Sequence, residues 1–406
     1  MISSHKGVFK TLVVLCLTFI FTGCNFYEVP SSLISSPNLS SNEDFEGFDS
    51  VDTNKLRLLV QKFMPRNGRL LEESKTSGKK NILFLDVDGD SSNELIVIFK
   101  DDSNFKKGFF VLKERDGQWI KIYEKALEGN SISTLKTLTV KDKDDKRLLV
   151  GYLISGNSGT DFYLYDFKES NVQEVSIGRW NRMEIINTPD KEEDKNFVFG
   201  AQVNEANRDY SSYVIGFDGK RFYASEDFYD DYYTKNLEYY KGELIQQTNN
   251  ELIWYYYIES QIKLKQYTKA IESLNEIFKY KEDKNEEPII QVGYYKFLIL
   301  KAMALNGVEE HEQAISLLNN IKDIELLNDK DYFYNEPKEY STIGIYYELG
   351  LAYKGLGEEV KAEEYFKYAI EEFEKLSLDG YFSEDTTSNV LKQVIYYTLS
   401  KEINNK

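Results

Sequence analysis

The sharpest chemistry in the chain lies in one stretch, Asp86-Val87-Asp88-Gly89-Asp90-Ser91-Ser92-Asn93-Glu94. Carboxylates at alternate loop positions converge on one point, and a hard cation such as calcium takes six to eight oxygens. Asp86, Asp88, Asp90 and Glu94 are therefore candidate side-chain ligands, with the Ser92 carbonyl as a further oxygen. The same residues also suit an acidic turn without an ion, in which Asp side chains accept backbone N–H groups. The matching loops further on, Lys141–Lys146 and Pro189–Lys195, mix lysines with the acids and lack the alternate spacing, so no ion is expected there.

Other chemistry is thinly signalled. Two histidines and two cysteines leave no disulfide framework and no Cys/His zinc site. His311 sits in Glu309-Glu310-His311-Glu312-Gln313, a charged run that reads as a solvent-facing helix start. A nucleophile needs an activating base, and a Ser-His-Asp site would have to use this exposed histidine as that base. Walker A, GxGxxG and HExxH patterns are absent. No pair among the 68 acids is marked out for glycoside hydrolysis. The chain is not expected to be an enzyme. A net charge of −18 over 406 residues also argues against nucleic acid as a partner.

The elements that would position the acidic loop are strands. Asn54–Phe63 reads as a short helix. Beyond it, short apolar runs alternate with polar turns: Ile82–Leu85, Leu95–Phe99, Phe109–Leu112 and Trp119–Tyr123. Asp116-Gly117 marks a hairpin between the last two. The order returns as Leu135–Val140, Leu148–Ile154, Phe162–Tyr165 and Val172–Ile177. It returns again as Met183–Ile186, Phe197–Val203, Tyr213–Phe217 and Arg221–Tyr223. A period near 50 with four strands per unit is that of propeller blades, and three units fall short of closure. The acidic loop resembles the calcium loop of FG-GAP propeller repeats. That resemblance implies Ca2+ on Asp86, Asp88, Asp90, Ser92 and Glu94. Ser91 departs from it, standing where the family has a glycine suited to positive φ.

From Asp230 the periodicity becomes helical. Trp254, Tyr257, Ile258, Tyr267, Ala270, Leu274 and Ile277 form one pattern. Leu298, Ala302, Leu305, Ala314, Leu318 and Ile321 form a second. Tyr346, Leu349, Gly350, Tyr353, Ala362, Phe366 and Ala369 form a third. These resemble tetratricopeptide repeats (TPR), with small residues where two helices cross. Spacings of 44 and 48 between Ala270, Ala314 and Ala362 exceed the family's usual period, which implies extension through Lys279–Pro288 and Asp323–Glu339. Ser388–Ile403 reads as a helix capping the stack. The aromatic run Phe228–Tyr240 is expected to pack the junction between the two halves.

The N-terminus carries Lys6 and Lys10, then the apolar run Thr11–Phe21, too short to span a bilayer. Phe21-Thr22-Gly23-Cys24 resembles a bacterial lipobox, with Phe21 in place of the usual Leu. The resemblance implies a signal peptide over 1–23 and diacylglycerol and palmitate on Cys24, a two-chain anchor that holds stably. A Ser-rich tether over 24–53 follows. The expected fold class is thus α+β and multidomain. A partial β-propeller-like antiparallel domain over 54–228 precedes an α-helical TPR-like solenoid over 229–406. The whole resembles lipoproteins of Gram-positive bacteria that join FG-GAP-like to tetratricopeptide repeats. It implies a place on the outer face of the cell membrane and a protein partner for the helical half. The alternative is recognition of cell-wall glycan, or another extracellular ligand, by the β half.

Overall fold

The computed structural model describes residues 53–71, 81–102, 106–142, 144–155, 158–168, 171–187, 196–206, 209–279, 294–323, 338–379 and 386–404. The signal, Cys24 and nearly all of the tether lie outside the described residues. So do the whole turn 189–195 and nearly all of the two long helix connections. The chain's elements are antiparallel β-sheets followed by helices. The described residues all belong to one compact unit.

The first element is a helix, α1 (Thr53–Phe63). Sheet 1 contains β1 (Gly68–Leu70), β2 (Ile82–Leu85), β3 (Glu94–Asp101), β4 (Lys106–Arg115) and β5 (Gln118–Leu127). Sheet 2 is the meander β6 (Ser131–Thr139), β7 (Lys146–Ser155), β8 (Gly159–Asp166) and β9 (Gln173–Trp180). Sheet 3 is the meander β10 (Arg182–Asn187), β11 (Phe197–Ala206), β12 (Asp209–Phe217) and β13 (Phe222–Ala224). Each of the twelve expected apolar runs falls on a strand. Strand β1 was not expected, because three residues after a proline turn carry no alternation. Asp116 and Gly117 both take positive φ, 53° and 73°, between paired Arg115 and Gln118. That is the two-residue turn whose twist matches its strands.

The sheets are layered through strand alternation. On β3, Leu95, Val97 and Phe99 point to one face and pack with Val60 of α1. Ile96 and Ile98 point to the other and meet Leu148, Val150 and Tyr152 of sheet 2. On sheet 2, Leu149, Leu164 and Trp180 face Phe197, Phe199 and Phe217 of sheet 3. The far face of sheet 3, with Val198 and Val214, is covered by Tyr232 and Tyr233 of α2 (Tyr229–Gln246). Gly200 must be bare, since a Cβ there would overlap the Tyr232 ring. The Tyr233 hydroxyl donates to the Ser212 carbonyl at 2.8 Å. The aromatic run after Phe228 thus packs the junction.

Three antiparallel helix pairs follow: α3 (Glu251–Lys263) with α4 (Tyr267–Lys279), α5 (Tyr294–Gly307) with α6 (His311–Asp323), and α7 (Lys338–Gly355) with α8 (Glu359–Leu378). Their turns are copies of one another. Lys265, Glu309 and Gly357 take left-handed φ of 56°, 65° and 74°. The next residue's N–H in each case, at Gln266, Glu310 and Glu358, donates to the carbonyl five back, at Gln261, Leu305 and Tyr353. This is the Schellman closure of a helix end. Ala270, Ala314 and Ala362 are buried at the crossings, and a Cβ on Gly350 would collide with the Phe366 ring at 2.5 Å. The 44- and 48-residue spacing is therefore a spacing of identical turns.

The last helix, α9 (Thr386–Asn404), does more than cap the helices. Leu399 packs with Phe373 and Leu376 of α8. Val390 is buried in the core between sheets 2 and 3, with Leu391 and Val394 packed against it. The Arg179 N–H donates to the Thr387 hydroxyl at 2.7 Å, and that hydroxyl donates back to the Arg179 carbonyl at 2.9 Å.

Two outcomes follow. A chain ending at residue 228 loses the covers of sheet 3 and should give no cooperative thermal transition, whereas a sharp one would show that the sheets stand alone. Glu309→Gly removes a left-handed strain of about 1 kcal/mol at a helix end. It should raise the melting temperature, while Gly357→Ala lowers it.

Candidate functional site

The acidic loop joins β2 to β3, which pair antiparallel from Leu85 and Glu94. Its tight path needs Gly89 at φ 80°, and Ser91 takes φ 69°, the position where the resemblance calls for glycine. Within the loop the carboxylates accept backbone N–H groups. Asp86 accepts Gly89 at 2.8 Å and Ser91 at 3.2 Å. Asp88 accepts Asp90 at 3.3 Å, and Asp90 accepts Ser92 at 2.8 Å. Glu94, only 1% exposed, accepts the Val87 N–H at 3.0 Å. One oxygen each of Asp86, Asp88 and Glu94 lie within 4.8 Å of one another.

The centre of this loop holds an ammonium group. Lys113 Nζ bonds Asp88 Oδ2, Asp90 Oδ2 at 2.7 Å and Glu94 Oε1 at 2.9 Å. A second ammonium, Lys146 Nζ, reaches Asp86 Oδ2 at 2.6 Å from the start of β7. Each oxygen of the four carboxylates therefore already accepts a hydrogen bond. Burial, the largest influence on Lys113, pulls its pKa down, yet its carboxylate partners together hold it above the usual lysine range. The bond from Lys113 holds Asp90 below its ordinary value, whereas burial pushes Glu94 up. The donor set does not fit a resident calcium while Lys113 stays, because one position cannot hold both cations.

Neither lysine was among the expected site residues. The signal was strand parity. Lys113 continues the inward face of Phe109 and Val111 on β4, and Lys146 that of Leu148 and Val150 on β7. The loop also wedges onto sheet 2, where a Cβ on Gly89 would lie 2.7 Å from the Asp144 carbonyl oxygen. One unit further, Arg147 binds Asp145 at 3.2 Å and Asp166 at 3.4 Å and lies over the Phe217 ring of sheet 3. The sheet-1 loop is thus tied to sheet 2 by the Lys146–Asp86 ion pair, and sheet 2 to sheet 3 by the Arg147 guanidinium on the Phe217 ring.

A second polar cluster joins the first helices of the pairs. Glu348 on α7 is 5% exposed, and Asn306 Nδ2 donates to its Oε2 at 3.0 Å and to its backbone carbonyl at 3.1 Å. Lys263 of α3 lies near, its Nζ 5.3 Å from the Tyr229 ring centre. His311 departs from the solvent-facing expectation. It is half-buried, its ring lies against Gly355, and Nδ1 is 3.3 Å from Asn306 Oδ1. Tyr267 does the same against Gly307 one repeat earlier, so His311 fills a packing position shared by the repeats. None of this brings a nucleophile to the imidazole.

Comparison with family models, curated proteins and solved structures finds no match. Among the described residues no helix is long and apolar enough to cross a membrane.

Burial pushes the Glu348 carboxyl from 4.5 up to about 7, against the Asn306 hydrogen bond and the Lys263 charge. The folded protein then holds this proton more tightly than the unfolded chain. Its contribution to stability is fully present below the ordinary carboxylate value and is lost as pH rises through about 7, a change of order 3 kcal/mol. Glu348→Gln keeps the acceptor and removes the titration. It should match the parent at pH 4 and melt higher at pH 8; an unchanged pH slope would refute the assignment.

Proposed function

We propose that this chain is a lipid-anchored envelope protein whose helical pairs form a TPR-like solenoid that holds a protein partner. The β half is a three-blade, propeller-like support for it. The observation that carries this reading is the thrice-repeated turn at Lys265, Glu309 and Gly357, which stacks equivalent helices side by side. Repeats of this kind present extended surfaces to other proteins. The lipid on Cys24 and the position outside the membrane rest on the lipobox resemblance alone.

The helical surface offers one aromatic face suited to a partner. Tyr353 and Tyr365 stack at 5.3 Å, and Tyr346 and Tyr368 join them at 5.6–6.2 Å. Lys361 Nζ lies 4.9 Å above Tyr353. Tyr368 is 38% exposed, and Val360 on the same helix is 84% exposed. Tyrosine is among the residue types enriched in binding hot spots, and Tyr368 is the exposed edge of this half-buried cluster.

The test is crosslinking in intact cells followed by affinity capture, comparing the full chain with the same chain carrying Val360→Asp and Tyr368→Ala. Val360→Asp changes an exposed position and should leave the melting temperature unchanged, while Tyr368→Ala gives up ring contacts with Tyr346 and Tyr365 and should lower it slightly without unfolding the chain. The reading expects a partner whose recovery falls about tenfold in the variant. Equal recovery would move the partner off this face. No protein enriched over an untagged control would sink the scaffold reading, and wall glycan retained instead would favour the β half.

A further inference from the structure

We infer that Lys113 is the acidic loop's own cation, so that the loop is a metal-free staple and becomes a calcium site only when that ammonium is removed. The inference starts from position. The loop aims the carboxylates of Asp88, Asp90 and Glu94 at one point, and Lys113 Nζ occupies it with oxygens of Asp90 and Glu94 at 2.7 and 2.9 Å and Asp88 bonded as well. Calcium would need that same place, at 2.3–2.6 Å from its oxygens.

The lysine is built into the sheet rather than laid over the loop. The β3–β4 register pairs Leu95 with Leu112, which sets Lys113 directly across from Glu94. The inward parity of β4 sends its stem along Phe109 and Val111, and the side chain is 15% exposed. Glu94 is buried against the Val87 N–H and keeps Lys113 as its counter-charge. The remaining acid, Asp86, is held by Gly89, Ser91 and the Lys146 ammonium. Calcium would have to expel Lys113 from three partners and compete with Lys146 for the fourth carboxylate.

The arrangement also explains what the loop does. A lysine on β4 fixes the path between β2 and β3, and a lysine on β7 fixes that loop onto sheet 2. The contact is therefore present whether or not calcium is. An extracellular calcium loop of the same outline would tighten and loosen with the ion.

The experiment is calorimetric titration of the purified full chain with calcium chloride, together with melting in calcium and in EDTA. The parent chain should give no binding heat and the same melting temperature in both buffers. Lys113→Gln removes the ammonium and keeps a neutral polar side chain. It should bind one calcium ion, melt below the parent in EDTA and recover in calcium but not in magnesium. Lys113→Arg keeps the charge and should stay blind to calcium. Saturable calcium binding by the parent chain would overturn the inference. So would a Lys113→Gln chain that calcium neither binds nor restores to a folded state.

Discussion

A β-sheet whose two faces are both apolar must find a cover for each, and that constraint organises this molecule. The run Leu95-Ile96-Val97-Ile98-Phe99 is apolar without a break, and it is buried on both sides. A closed propeller meets the same need by letting the last blade cover the first. With three sheets no such return is available, so the two outer faces need other partners. Helix α1 takes the outer face of sheet 1 and α2 takes that of sheet 3. The helical half thus begins as a cover for the β half. Helix α9 returns at the chain's far end to pack Val390 between sheets 2 and 3. The β core is completed by segments more than 150 residues apart in the chain.

The strand starts raise the same question in polar form. Carboxylates gathered at one end of a sheet repel one another, and burying Glu94 adds a desolvation cost. A counter-charge is required. A bound metal is one solution and an inward lysine is another. A lysine is present at all times and is set by the same alternation that packs the core, but it cannot report on the surroundings. Arg147 repeats the device in part: it pairs with Asp145 and Asp166 within sheet 2, and its guanidinium reaches sheet 3 by lying on the Phe217 ring. The loop that most looks like a ligand site thus belongs to a series of joints between layers.

What could be read in advance followed from local pattern. Short apolar runs and Asp-Gly turns give the strands, and the alanines at 270, 314 and 362 give the helical spacing, because each depends on residues close in the chain. The acidic loop was legible as a convergence of carboxylates. Its occupant was not, since Lys113 lies 19 residues beyond Glu94 and meets it only through the β3–β4 register. The same holds for Lys146, which arrives from another sheet. His311 looked solvent-facing from its charged neighbours. Its burial depends on Gly355, a residue of the next repeat. The two-sided use of α9 was hidden for a related reason: an amphipathic pattern says that a face is buried, not which neighbour buries it.

The layered covers also constrain how such a protein binds anything. Helices in an isolated repeat array are free on every side that other repeats do not touch. Here α2 is committed to sheet 3 through Tyr232 and Tyr233, and α9 is committed to sheets 2 and 3 at one end and to α8 at the other. The start of the array is taken too, since Leu264 packs into the same cluster as Tyr233 and Lys263 lies over Tyr229. Surfaces near the β half are therefore spent on the fold. The surface of α8 that carries Tyr368 and Val360 is not used by these contacts. A partner seated there would leave every cover of the β core in place, so binding need not be coupled to loosening of the sheets. A partner competing for the α2 or α9 faces would have to uncover Val198 or Val390 first, and the apolar area exposed would oppose it.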